Sequence, residues 1–91
     1  MRGSLEMKPS ILFIDDDQDF LDTYSRVLGT NYSLSCFNSF AEAKVKLPEL
    51  MYSVDLIICD IHIGKENGFE VYSEIEKMSF VSKIPFMFKT S

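Results

Sequence analysis

Basic residues are scarce in this chain. Lys and Arg number nine against fourteen Asp and Glu, for a formal net charge of −5. Neutralising phosphates takes Lys and Arg, so direct binding of nucleic acid is a poor fit. Long apolar runs are also missing, and none approaches the ~20 residues of a membrane-crossing helix. No charged-then-apolar leader with a small-residue cleavage site is recognisable. Only two cysteines occur, Cys36 and Cys59, without a second Cys or His at metal-ligand spacing. They read as reduced, half-buried strand residues of a cytoplasmic protein. Internal repeats and linkers are lacking too. What is present is 91 residues, 46% apolar and 25% charged, the balance of one small globular domain. Such a chain buries only a little over ~60% of its unfolded surface, so a missing element would be felt.

Met1-Arg2-Gly3-Ser4 has the character of a vector-encoded expression leader. Residues 1–6 are therefore set aside, and the domain is expected over 7–91. Ile11 to Ile14 is a short apolar run that ends abruptly in Asp15, Asp16 and Asp17, as suits a buried parallel strand. Phe20, Leu21, Tyr24, Val27 and Leu28 then recur at helical spacing, with Gly29 as a stop. Asp17, Asp19 and Asp22 read as solvated residues near the positive end of that helix. Tyr32 to Phe37 reads as a second strand. Ser39 and Glu42 have capping-box spacing ahead of a helix whose inner face is Phe40, Ala43, Leu47 and Leu50. Pro48 predicts that this helix is short or kinked. Val54 to Cys59 is a further apolar run, ending in Asp60. A loop with Gly64 and Asn67-Gly68 follows. Phe69, Val71, Tyr72, Ile75 and Met78 predict a third amphipathic helix, and Ile84 to Phe88 a fourth strand. Strands separated by single helices imply parallel pairing in one α/β domain.

In an open α/β sheet the functional crevice lies beyond the carboxyl ends of the strands. Asp15, Asp16, Asp60 and Thr90 all fall there. Converging carboxylates repel one another, and a divalent cation is the usual remedy. Oxygen-only ligands suit Mg²⁺ or Mn²⁺ better than Zn²⁺.

The segments ILFIDDD, DLIICDIHIGKENG and IPFMFKT resemble the receiver domain of two-component response regulators, chemotaxis regulators among them. The resemblance runs from about Ser10 to Ser91 and rests on spacing. An acidic pair follows strand one, an aspartate ends strand three, a glycine lies eight residues later at Gly68, and a hydroxyl residue thirty residues later at Thr90. It implies a flavodoxin-like α/β fold with sheet order 2-1-3-4 over the strands present, lacking the last strand and final helices. It implies Asp60 as phosphoacceptor, charged from a phosphohistidine of a sensor histidine kinase or phosphotransfer protein. Asp16, Asp60 and the backbone carbonyl of His62 would be direct Mg²⁺ ligands, with Asp15 acting through water. Thr90 would be the switch hydroxyl that turns toward the phosphoryl group.

Three departures stand out. Gly64 occupies a position that is often proline, which predicts a looser loop. His62 sits where the family tunes dephosphorylation, and is read as a modulator and not as an imidazole ligand. The family's strand-five lysine has no counterpart. Lys89 is rejected as a substitute, because alternation relative to Thr90 turns it to the other side of the strand.

Two other functions compete. One is a Mg²⁺-dependent haloacid-dehalogenase-type phosphohydrolase, since Asp15 and Asp17 form D-x-D; Gln18 stands where Thr or Val is expected, and the chain is short. The other is an inert interaction fragment without phosphorylation. An EF-hand reading of the Asp run fails at Phe20 and Arg26, where glycine and glutamate are required. Strand four, as an apolar sheet edge, predicts homo-oligomers through that edge or through an exchanged element.

Overall fold

The two most apolar runs of the sequence become the two central strands. The computed structural model describes residues 8–50, 52–78 and 83–89. In chain order these form β1 (Ser10–Ile14), α1 (Gln18–Leu28), β2 (Ser33–Phe37), α2 (Phe40–Leu50) and β3 (Leu56–Asp60). Then come β4 (His62–Ile63), β5 (Glu66–Asn67), α3 (Gly68–Glu76) and β6 (Phe86–Lys89). The main sheet has the order β2-β1-β3-β6, all parallel. That is the flavodoxin-like order expected for the four long strands. The antiparallel pair β4–β5 is an addition where a loop was expected, turning at Gly64 with φ 57°. Strand pairs of two residues are too short to leave a periodic signature.

Alternation sorts the central strands into two faces. Leu12 and Ile14 of β1, with Ile57 and Cys59 of β3, pack against Phe40, Ala43 and Leu47 of α2 and Val71 and Ile75 of α3. Ile11, Phe13, Leu56 and Ile58 face Leu21, Tyr24 and Leu28 of α1. Each side chain fully buried in this way contributes ~1.5–3 kcal/mol.

Local chemistry starts each helix. Asp17 caps α1, its Oδ1 accepting the Phe20 N–H at 3.1 Å. For α2, Ser39 Oγ accepts the Glu42 N–H, and Glu66 of β5 accepts the Phe40 N–H at 3.0 Å, so the hairpin and α2 are tied together. Pro48 neither shortens nor interrupts α2, which runs eleven residues to Leu50. It lies in the last turn, where its missing N–H forfeits one bond near a helix end. Asn67 caps α3 through the Phe69 N–H at 2.7 Å. Phe69 and Tyr72, two of the apolar positions that predict α3, are 55% and 37% exposed. They turn sideways onto β6, with ring centroids 4.8 Å apart for Phe69–Phe88 and 5.0 Å for Tyr72–Phe86. The last strand begins two residues later than Ile84, after Pro85, whose carbonyl accepts the Ile57 N–H.

Candidate functional site

Register brings the acidic residues together. Ile14 pairs with Cys59, so the residues that follow them, Asp15 and Asp60, lie side by side at the carboxyl edge. Asp15 extends the ladder, its N–H reaching the Phe37 carbonyl at 3.0 Å. Asp60 in turn pairs with Lys89. Asp15, Asp60 and Lys89 therefore form one row across three neighbouring strands. Each stands one residue beyond a side chain of the α2/α3 face, which puts all three on the α1 side.

This overturns the rejection of Lys89. Its Nζ donates to Asp15 Oδ2 at 2.6 Å and to Asp60 Oδ2 at 3.4 Å. The ammonium also lies 3.6 Å from the centroid of the Phe20 ring. Alternation holds, but the reference that matters is the strand partner Asp60, which shares the face of Lys89. The position of Thr90 lies outside the described residues.

The electrostatics follow from burial. Asp15 is 2% exposed and Asp60 6%. A carboxylate withdrawn from water needs hydrogen bonds and a counter-charge, and Lys89 serves both. Burial alone would lower the Lys89 pKa. The hydrogen bond to Asp15 and the charges of Asp15 and Asp60 outweigh it and hold the pKa above the ordinary lysine value. Cys59, next to Asp60, has its thiol pushed up to about 12, chiefly by burial and then by the Asp60 and Asp15 charges.

Backbone amides fix one oxygen of each carboxylate. The Asp17 N–H binds Asp15 Oδ1 at 2.9 Å, the His62 N–H binds Asp60 Oδ1 at 3.1 Å, and the Gly64 N–H binds Asp16 Oδ2 at 2.7 Å. The last bond explains the absence of proline at position 64: proline has no N–H to give. It also corrects the expected looseness, since this loop is a hairpin tied to Asp16. Gly68 has a steric reason. A Cβ there would stand 2.5 Å from the Asp60 carbonyl oxygen and 2.9 Å from Ile61 Cα.

Asp15, Asp16 and Asp60 each offer one oxygen, all within 4.8 Å of one another. An all-oxygen donor set of this kind fits Mg²⁺ or Mn²⁺. His62 joins the cluster through its main chain, while its side chain is exposed. Asp17 does not join it: its carboxylate is spent on the helix cap. Sequence reasoning thus found the three carboxylates and missed Lys89, although counting one residue past each apolar strand run would have placed it in their row.

Known proteins agree with this geometry. The model of the response regulator receiver domain matches residues 11–91. The non-phosphorylated HemR receiver domain from Leptospira biflexa superposes with a TM-score of 0.75 at 28% identity, over 91% of this chain and 64% of that one. The chemotaxis protein CheY4 of Vibrio cholerae gives 0.80 at 23% identity, over 92% of this chain and 72% of that one. The phosphorylated cyanobacterial phytochrome response regulator RcpA gives 0.78 at 20% identity, over 91% and 65%. This chain thus spans under two thirds of the length of the Leptospira domain. No curated protein sequence matches it. With a family match over most of its length and the acidic row at the carboxyl edge of a 2-1-3 sheet, the chain belongs to the response regulator receiver family.

Proposed function

We propose that the chain is a phosphorylation-switched signalling domain in which Asp60 accepts the phosphoryl group. The observation that carries this reading is the position of Asp60: the last residue of a central strand, nearly buried, with Asp15 and Asp16 within metal-sharing distance. A carboxylate oxygen of Asp60 attacks phosphorus in a phosphohistidine of a sensor histidine kinase or phosphotransfer protein. The P–N bond breaks, and the imidazole keeps the electron pair and takes up a proton. An acyl phosphate remains on Asp60.

The transition state spreads charge over three phosphoryl oxygens, so positioning and cationic charge do most of the work. When bound, Mg²⁺ or Mn²⁺ supplies that charge beside the transferring group. Asp16, Asp60 and the His62 carbonyl are assigned as direct ligands, with Asp15 acting through water. Thr90 is assigned as the switch hydroxyl, on the thirty-residue spacing from Asp60. The phosphoryl group adds about −1.5 to −2 charges, enough to re-aim a hydroxyl and bias a two-state surface. The domain acts in the cytoplasm as a phosphoacceptor and not as a turnover enzyme. Asp17 as a helix cap argues against the D-x-D hydrolase, which needs that carboxylate free.

Incubation with Mg²⁺ and a small acyl phosphate, followed by intact mass, tests the reading. The expected label is on Asp60 and is lost in Asp60→Asn. Turnover of a phosphate ester that survives Asp60→Asn points to the hydrolase, and neither label nor turnover points to the inert fragment.

Homo-oligomers are proposed through the outer side of β6. Among the described residues no strand pairs there, and Met87 is 54% exposed. Sedimentation should show association that Met87→Lys weakens; a stable monomer at high concentration sinks this part.

A further inference from the structure

Of the six oxygens in the acidic cluster, three are committed to backbone N–H groups: Asp15 Oδ1, Asp60 Oδ1 and Asp16 Oδ2. The three left are Asp16 Oδ1, Asp15 Oδ2 and Asp60 Oδ2. Lys89 Nζ binds both of the last two, at 2.6 and 3.4 Å. Its side chain is only 12% exposed, and its ammonium rests on the Phe20 ring. A cation entering among the three carboxylates would thus compete for oxygens that already hold a positive charge.

We propose that Lys89 is a tethered counter-ion which a divalent cation must displace, so that Lys89 sets the metal affinity of the site. The proposal rests on the carboxylates being a divalent-cation site. Without metal, the ammonium neutralises part of the charge of two buried carboxylates, Asp15 and Asp60, beside the exposed Asp16, and keeps the sheet edge from repelling itself apart. With metal, a dipositive ion and an ammonium contest the same lone pairs. Attraction to the anionic cluster would be shared between them, and two cations held on the same carboxylates would repel one another. The ammonium then swings off Asp15 and Asp60. Lys89 is in this sense a positioning residue: it acts on the metal through the carboxylates.

The test is a Mn²⁺ titration of wild type, Lys89→Met, Lys89→Gln, Lys89→Arg, Asp16→Asn and Asp60→Asn, reading free Mn²⁺ by electron paramagnetic resonance. Lys89→Met and Lys89→Gln should bind about tenfold or more tightly, and Lys89→Arg should stay near wild type, since it keeps the charge. Without metal, the two neutral variants should melt below wild type, and saturating Mn²⁺ should close that gap. Neutral variants that bind no tighter, while Asp16→Asn and Asp60→Asn lose binding, overturn the role of Lys89 and leave the metal site standing. Binding unchanged in Asp16→Asn and Asp60→Asn overturns the metal site and the proposal with it. A measurement on the wild-type chain covers variants that fail to fold. The ¹³Cε resonance of Lys89 should move toward that of exposed lysines at saturating Mg²⁺, and an unmoved resonance at saturation overturns the displacement.

Discussion

The two faces of the main sheet are unequally furnished. Against α2 and α3 lies a cluster of eleven buried residues that reaches from Leu12 to Ile75. Against α1, among the described residues, only Ile11, Phe13 and Leu21 are buried, with a ring of half-buried neighbours. The strand ends differ in the same way. The row that carries Asp15, Asp60 and Lys89 continues the thin α1 face, while the thick face ends in Ile14 and Cys59. Stability is thus concentrated on one side of the sheet and charge chemistry on the other. Burying ionised groups is costly, and the cost is tolerable where the packing is thinner and a counter-ion can reach.

Neighbouring residues of β3 offer the sharpest way to break this contrast. Ile57 is 0% exposed on the thick face, and Ile57→Ala should cost about 3–4 kcal/mol. Ile58 is half-buried on the thin face, and Ile58→Ala should cost about 1–2 kcal/mol. Urea denaturation measures both, and equal losses would dissolve the distinction. Next comes Gly68→Ala, which forces a methyl group against the Asp60 carbonyl. Backbone must shift, so a loss of about 1–3 kcal/mol is expected. Because the displaced segment carries Asp60, phosphoryl labelling should also slow.

Much of this was legible beforehand. The order of elements followed from apolar runs separated by helical patterns, and the acidic cluster followed because ILFI and LIIC both stop in aspartate. Register was not legible, because the pairing partner of a strand is a tertiary choice. Lys89 shows the consequence: its face cannot be read against Thr90 in its own strand, because Asp60 across the ladder is the residue that matters. The β4–β5 hairpin escaped notice because its strands are two residues long. The role of Gly64 escaped because a hydrogen bond from its N–H to Asp16 spans 48 positions of sequence.

Cys59 supplies a test of the thick face by pH. Its thiol titrates near 12 in the folded chain, against 9.0 for a free thiol. Below pH 9 both folded and unfolded chains hold the proton, and stability does not change. Above it the unfolded chain gives up the proton first and binds fewer, so stability falls as pH rises. Relative to Cys59→Val, wild type should lose about 1 kcal/mol between pH 9 and 10. A constant difference across that interval would mean that water reaches the thiol and that the thick face is not dry.

The smallest effect expected is on the thin face, at Asp17. Its carboxylate caps α1 through the Phe20 N–H, and Asp17→Ala removes that bond at a cost of roughly 0.5–1 kcal/mol. The main-chain N–H of residue 17 survives the substitution, so its bond to Asp15 Oδ1 survives with it. Labelling of Asp60 and Mn²⁺ affinity should therefore stay at wild-type levels while the melting temperature drops by a few degrees. A hydrolase using Asp15 and Asp17 together would instead lose its chemistry outright. The same variant thus separates the two functions and divides the thin face itself, with helix capping at Asp17 and charge chemistry two residues earlier at Asp15.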